Sequence, residues 1–154
     1  MKKKITSFLI FLFLSSCGYE AVYSLKNSEN HDFSINKLIF IGERNINIRM
    51  KAKLNNYILA KKTKKFDLNI SSSKERTIIV KDIAGNATSY RSTITINVQV
   101  LRENKFLNNL QIIENFNYDN IANTFDLKNY ERQIINDLSE RATEKLILKL
   151  SNIN

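Results

Sequence analysis

The segment that most restricts the possible folds lies at residues 90–100, where apolar and polar side chains alternate. The even positions are mainly apolar, and the odd positions are polar: Arg91, Thr93, Thr95, Asn97 and Gln99. Successive side chains of a strand point to opposite faces of its sheet. The pattern therefore predicts a strand whose even-numbered face is buried, in a sheet that is covered on one side and open on the other.

Three further segments have strand patterns. Residues 33–41 alternate before an apolar run and end at Gly42, and residues 110–118 form another strand around Ile112, Phe116 and Tyr118. Residues 66–81 carry two apolar stretches separated by a polar one, so they form either one long bulged strand or two short strands. The Gly85-Asn86 pair predicts a turn before residue 90.

Two segments repeat apolar residues at the spacing of a helix. In residues 45–62 the stripe is Ile46, Met50, Leu54, Tyr57 and Ile58. From about Asp126 onward the stripe is Tyr130, Ile134, Leu138, Ala142, Leu146, Leu150 and Ile153. Asn45 is a suitable N-cap for the first helix. The second segment contains neither glycine nor proline, which favours one continuous helix.

The element order is therefore β-α-β-β-β-α. Each helix has one apolar stripe, and the sheet has one apolar face, so the predicted fold is α+β. We expect a two-layer sandwich in which two helices cover one face of a four-stranded mixed sheet. Leu54, Ile58, Leu138 and Ala142 should face the sheet, opposite the even-numbered residues of segment 90–100.

The first sixteen residues have the pattern of a bacterial lipoprotein signal peptide. A basic MKKK start precedes an apolar segment at residues 5–14, which is too short to span a bilayer. Leu14-Ser15-Ser16-Cys17 then resembles a lipobox, and Cys17 is the only cysteine in the chain. Since a thiol is the nucleophile that accepts the diacylglycerol group, we predict that Cys17 carries the lipid. A plain signal peptide followed by a buried or free cysteine is the alternative.

Cleavage before Cys17 would leave a lipidated tether at residues 17–32 and one folded domain at residues 33–154. The net charge would fall from +9 to +6 with the loss of Lys2, Lys3 and Lys4. In bacterial lipoproteins an aspartate after the cysteine favours retention at the inner membrane. Gly18 stands there instead, so we expect the outer membrane.

Residues that carry common catalytic and metal chemistry are scarce. The chain has one histidine, His31, and lacks Gly-rich phosphate loops and HExxH, GxSxG or CxxC motifs. Paired acids such as Asp119 and Asp126 have nothing around them that marks a catalytic site. We therefore expect no enzymatic activity, no cofactor and no metal site, and we interpret His31 as a solvated loop residue.

The excess of positive charge favours an anionic partner. Without its first strand the order is α-β-β-β-α, as in double-stranded RNA-binding domains, but an exported lipoprotein would not meet RNA, so we expect no nucleic acid. Outside the cytoplasm the abundant anions are lipid head groups and lipopolysaccharide phosphates. The candidate contacts are Arg91, whose guanidinium can grip a phosphate in two places, and more weakly Lys62, Lys64 and Lys65. Solvated surface charges are the alternative for both sets.

The order of several short motifs resembles a known family. These are the CGYEAVYS start at Cys17, a helix with Arg49, Leu54 and Leu59, a strand pair around Gly85, Thr88-Ser89-Tyr90-Arg91, Phe116-Asn117-Tyr118 and a long closing helix rich in Glu, Arg and Ala. Together they resemble the LPS-assembly lipoprotein LptE family of Gram-negative bacteria. One departure is Tyr19, where phenylalanine is commoner.

The resemblance implies a partner and a task. Proteins of this family sit as a plug inside the outer-membrane β-barrel LptD, and the pair inserts lipopolysaccharide into the outer leaflet without making or breaking a bond. It also implies a lipid anchor on the periplasmic side of the outer membrane. Two alternatives remain at this point: another lipid-anchored chaperone, such as a secretin pilotin, and a periplasmic enzyme.

Overall fold

The computed structural model describes residues 31–58 and 62–153. The elements are β1 (Phe33–Gly42), α1 (Arg44–Ile58), β2 (Lys64–Lys81), β3 (Ala87–Arg102), β4 (Lys105–Asp119) and α2 (Thr124–Ser151). The predicted order β-α-β-β-β-α is confirmed. The predicted signal peptide, the lipid site at Cys17 and nearly all of the tether lie outside the described residues.

The four strands form one mixed sheet in the order β1-β2-β3-β4. β1 and β2 are parallel, whereas β2 with β3 and β3 with β4 are antiparallel. β2 is a single strand of 18 residues, so the segment at 66–81 forms one strand rather than two. Its irregularity lies near the turn, where the register with β3 shifts between Ile78 and Lys81.

β1 contains a bulge that the sequence pattern did not indicate. Ile35 pairs with Phe66, but the next pair joins Lys37 to Asp67, so Asn36 is an extra residue. An extra residue inverts which side chains face the core. Leu38 and Phe40 therefore pack against the core, whereas Lys37 is exposed.

β1 ends where the chain turns sharply into the first helix. Gly42 has a φ of 98°, and a Cβ atom at this position would lie 2.0 Å from the carbonyl oxygen of Ser72. Only glycine has no side chain to clash there. The next residue, Glu43, donates its backbone N–H to the same oxygen at 3.2 Å. Beyond Ser72, β2 therefore continues without β1 beside it.

α1 differs from the predicted helix at both ends. It begins at Arg44, so Asn45 lies inside the helix and is not its N-cap. Ile58 was expected to face the sheet but is 40% exposed, and Tyr57 is buried in its place. The physical reason is that steps of four residues drift around a helix of 3.6 residues per turn, so a step of three restores the buried face after Leu54.

α2 begins two residues before the predicted start. The Asn123 side chain caps it, because its Oδ1 accepts hydrogen bonds from the backbone N–H groups of Phe125 and Asp126 at 2.9 and 3.4 Å. The predicted stripe is buried from Ile134 to Leu150. At the N-terminal end the prediction was wrong, because Tyr130 is 37% exposed. At the other end Ile153 packs against the core, although the helix stops at Ser151.

The core lies between the two helices and one face of the sheet. The even-numbered apolar residues of β3 are buried as predicted: Ile94, Ile96, Val98 and Val100 are each no more than 1% exposed. Leu54, Leu138 and Ala142 are fully buried, which confirms three of the four predicted helix contacts. Within the described part of the chain, neither helix has the combination of length and apolar character required to cross a bilayer.

Candidate functional site

The open face of the sheet carries a set of paired polar side chains, as the alternation predicted. The Asn69 amide donates to Gln99 at 2.9 Å, and the Gln111 amide donates to Asn97 at 3.0 Å. Ile41 of β1 and Ile113 of β4 are also exposed, and their pairing with Ser71 and Thr95 places them on this face. This face therefore combines hydrogen-bonding amides with apolar side chains, a composition suited to contact with another macromolecule.

Arg91 lies on the open face, near the end of the sheet that is closed by the β2–β3 turn. Its Nε donates to the Oδ1 of Asn117 on β4 at 2.8 Å, and Thr77 of β2 is its other cross-strand neighbour. The side chain is exposed. The bond to Asn117 uses only Nε, so the two terminal nitrogens of the guanidinium are available to bind a phosphate or carboxylate. The strand and this bond hold the guanidinium in position.

The three candidate lysines do not form one cluster. Lys64 is half-buried, and its Nζ donates to the backbone carbonyl of Ile153 at 3.1 Å, near the end of α2. Lys65 is exposed and lines a cavity of about 290 Å³ together with Asp67 and Arg102. Lys62 is half-buried just before β2. Consecutive residues of β2 point to opposite faces, which is why Lys64 and Lys65 are separated.

Arg91 and the lysines lie near opposite ends of the sheet. Lys65 and Thr77, the neighbour of Arg91, are on the same strand and twelve positions apart. At ~3.3 Å per residue this corresponds to about 40 Å along the strand. A single phosphate group therefore cannot touch both, and the two candidate contacts are distinct sites.

A cationic groove that the sequence did not indicate lies between β2 and α2. Its cavity measures about 330 Å³ and opens beside the part of β2 that β1 does not cover. Six charged residues define what we name the edge groove: Lys74, Glu75, Arg76, Lys128, Glu131 and Arg132. Four of these six carry positive charge and two carry negative charge, so the groove keeps a positive excess that favours an anionic occupant.

Glu131 compensates part of this charge. Arg76 Nε lies 3.1 Å from Glu131 Oε1, and the same guanidinium lies 3.8 Å above the ring of Tyr90. The hydroxyl of Tyr118 donates to Glu131 Oε1 at 2.7 Å. Burial, and secondarily this bond to the carboxylate, raise the pKa of Tyr118 above its usual value. These contacts fix Arg76 in place between an acid and an aromatic ring.

The other cations of the edge groove are less compensated. Lys74 Nζ pairs with Glu43 at 2.8 Å. Among the described residues, Lys128 and Arg132 form no ion pair with an acidic side chain. No local pattern indicates this site, because its residues come from β2 and α2, more than 50 positions apart, and each resembles part of a solvated face.

His31 is not the solvated loop residue that the sequence suggested. Its Nδ1 lies 2.7 Å from Ser151 Oγ, and its ring is tilted against Phe33 and Tyr57 at centroid distances of 6.2 and 6.1 Å. The histidine therefore belongs to the packing at the end of α2. Within residues 31–58 and 62–153, no three His, Cys, Asp or Glu residues are grouped closely enough to hold a metal ion.

No protein-family model matches the chain, and no curated protein matches it significantly. Solved structures do match. The chain is similar to the rare lipoprotein B from Shewanella oneidensis, with a TM-score of 0.59 and 14% identity over 75% of this chain and 94% of that one.

It is likewise similar to an uncharacterized lipoprotein B from Nitrosomonas europaea, with a TM-score of 0.59 and 14% identity over 77% and 83% of the two chains. A minor lipoprotein from Acinetobacter baumannii matches with a TM-score of 0.53 and 15% identity over 77% and 92%. At these identities the likeness establishes a common fold, and that fold is one found in bacterial lipoproteins.

Proposed function

We propose that this protein is a lipid-anchored, non-catalytic lipoprotein of the outer membrane that works with an LptD-type β-barrel in lipopolysaccharide assembly. The observation that carries this proposal is the likeness of fold to three bacterial lipoproteins over three quarters of the chain or more. The lipobox that ends at Cys17 and the LptE-like order of motifs support the same conclusion independently.

The lipid anchor has a direct chemical test. Intact mass spectrometry of the protein purified from its own membranes should show a chain that starts at Cys17 with added diacylglyceryl mass. Cys17→Ala should still fold but lose the attachment that the lipid provides, since several acyl chains together make an effectively permanent anchor; only the attachment supplied by the partner barrel should remain. A water-soluble mature chain that starts elsewhere would overturn this part of the proposal.

The open face of the sheet supports a plug-like role. A protein inside a barrel lumen needs surface that tolerates water and also contacts the polar wall. The amide pairs Asn69–Gln99 and Asn97–Gln111 provide such a surface on a rigid sheet. The helices cover only the other face, so the open face is accessible to a surrounding wall.

Arg91 is the first candidate for contact with lipopolysaccharide, with Lys62, Lys64 and Lys65 as weaker candidates. Arg91→Ala should weaken binding of purified lipopolysaccharide by about tenfold or more, since a hydrogen bond to a charged group contributes about 1.5–3 kcal/mol. The loss should shrink at high salt. Lys65→Ala is the matched comparison at the opposite end of the sheet.

This binding experiment has two decisive outcomes. Unchanged affinity in an Arg91→Ala protein that is folded by circular dichroism would reject Arg91 as a ligand. If Lys65→Ala alone weakened binding, the site would belong to the other end of the sheet, about 40 Å away. Lys64→Ala is less informative because its Nζ already binds the carbonyl of Ile153.

The function itself is tested by depletion in the source bacterium. Loss of the protein should reduce lipopolysaccharide in the outer leaflet, measured by surface labelling of intact cells, while secretin assembly stays normal. Normal lipopolysaccharide display together with failed secretin assembly would contradict the proposal and favour a pilotin.

A further inference from the structure

One edge of the sheet is left unpaired over a long stretch. β1 ends opposite Ser72, but β2 continues to Lys81. The uncovered stretch from Ser73 to Lys81 is about 30 Å long at ~3.3 Å per residue. An exposed edge of this kind offers backbone N–H and C=O groups to another strand.

The orientation of the free backbone groups follows from the last contact with β1. The carbonyl oxygen of Ser72 accepts the N–H of Glu43 on that side. Backbone groups alternate between the two sides of a strand, so those of Lys74, Arg76 and Ile78 point to the same open side. The odd-numbered residues between them direct their groups to β3.

The edge groove adjoins these free groups. Its cavity of about 330 Å³ lies along Lys74 and Arg76 and is bounded on the other side by α2. Lys128 and Arg132 of α2 line it and form no ion pair among the described residues. Further along the edge, Ile78 is 51% exposed. An unpaired edge, an adjoining cavity and uncompensated cations thus coincide.

We propose that this edge of β2, from Lys74 to Ile78, is a docking site for an extended acidic segment of a partner protein. The segment adds to the sheet as a further strand, a known mode of peptide recognition in which backbone hydrogen bonds give affinity and side chains give specificity. Its carboxylates lie on the side of the sheet that α2 covers and meet Lys128 and Arg132. The inference does not depend on the proposed function.

The test uses the full mature protein in detergent and two labelled peptides. One is an eight-residue peptide in which glutamate alternates with valine, and the other carries lysine in place of each glutamate. Fluorescence anisotropy should show binding of the acidic peptide and at least about tenfold weaker binding of the basic one. Equal binding of both peptides, or of neither, would overturn the proposal.

Amide hydrogen exchange shows whether the peptide adds as a strand. With the acidic peptide bound, the amide hydrogens of Lys74, Arg76 and Ile78 should exchange at least about tenfold more slowly. Those of Glu75 and Thr77, which already face β3, should change little. Peptide binding without this alternating pattern of slowed amide exchange would contradict strand addition. The same pattern of slowed exchange with inorganic phosphate in place of the peptide would also contradict it.

Two matched pairs of variants separate the backbone contribution from the charge. Lys74→Pro removes one free N–H that β3 does not use, whereas Lys74→Gln removes the same charge and keeps the N–H. The proline variant should bind the acidic peptide several-fold more weakly than the glutamine variant. Arg132→Glu should weaken binding about tenfold, and Arg141→Glu, an exposed position on the same helix, should not. Equal effects within either pair would overturn the proposal.

Discussion

Lys145 Nζ lies 2.5 Å from Glu114 Oε1, so an ion pair joins the C-terminal part of α2 to the edge strand β4. The ammonium and the carboxylate are in contact as opposite charges, but their geometry is not that of an aligned hydrogen bond. The Glu114 side chain is only 8% exposed, whereas that of Lys145 is 56% exposed. A carboxylate on the buried face of the sheet therefore depends on one helix residue for its compensation.

Lys145→Met should lower the free energy of unfolding by about 1–3 kcal/mol, because it leaves a buried carboxylate without its partner. The cost stays below that of a fully buried pair because water reaches Lys145. In urea titrations, the double variant Lys145→Met with Glu114→Met should recover most of the loss. A double variant as unstable as the single one would show that the ion pair is not the cause.

Gly42→Ala should destabilise the protein by about 2–5 kcal/mol, from the positive φ and from the overlap of its Cβ with the Ser72 carbonyl oxygen. Gly85→Ala is the matched control, because Gly85 has a similar φ of 86° but open space around its Cβ. It should cost about 1–2 kcal/mol. Equal losses in denaturant titration would mean that the close approach at Ser72 carries no cost.

Leu138→Ala should cost about 2–5 kcal/mol, since Leu138 is fully buried between α2 and the sheet. Leu148→Ala on the same helix is the control, with a side chain that is 57% exposed. Its cost should be about 0.5 kcal/mol or less. Similar losses at the two positions would contradict the orientation of α2.

Tyr118 should make stability fall at high pH. The folded protein raises the pKa of Tyr118 through burial and the bond to Glu131, so the native state holds this proton more tightly than the unfolded state. The contribution is complete below the unfolded pKa near ~10 and is lost as pH rises through the folded value. Tyr118→Phe should flatten this decline in unfolding experiments between neutral and alkaline pH, and an unchanged slope would contradict the assignment.

The element order and the buried face of β3 could be predicted because they depend on local periodicity. Alternation at residues 90–100 and stripes at helical spacing report directly which side chains meet the core. The prediction was wrong at Ile58 and Tyr130, which are both exposed. A helix has 3.6 residues per turn, so a stripe extended in steps of four residues gradually turns away from the sheet.

The site geometry could not be predicted because it depends on pairing between distant segments. The bulge at Asn36 and the end of β1 at Gly42 decide where β2 becomes an edge. The register of β2 with β3 places Arg91 beside Thr77, far from Lys65. The edge groove forms only because α2 lies close to the uncovered part of β2. None of these relationships leaves a pattern within a single segment.

The most direct test of the proposed function is purification of the tagged protein from outer membranes of the source bacterium, followed by identification and quantification of the proteins that accompany it. We expect one large β-barrel protein in about equimolar amount, retained when Cys17→Ala removes the lipid, because the barrel holds the folded domain. Recovery of a secretin ring instead, or of no barrel protein from intact membranes, would contradict the account.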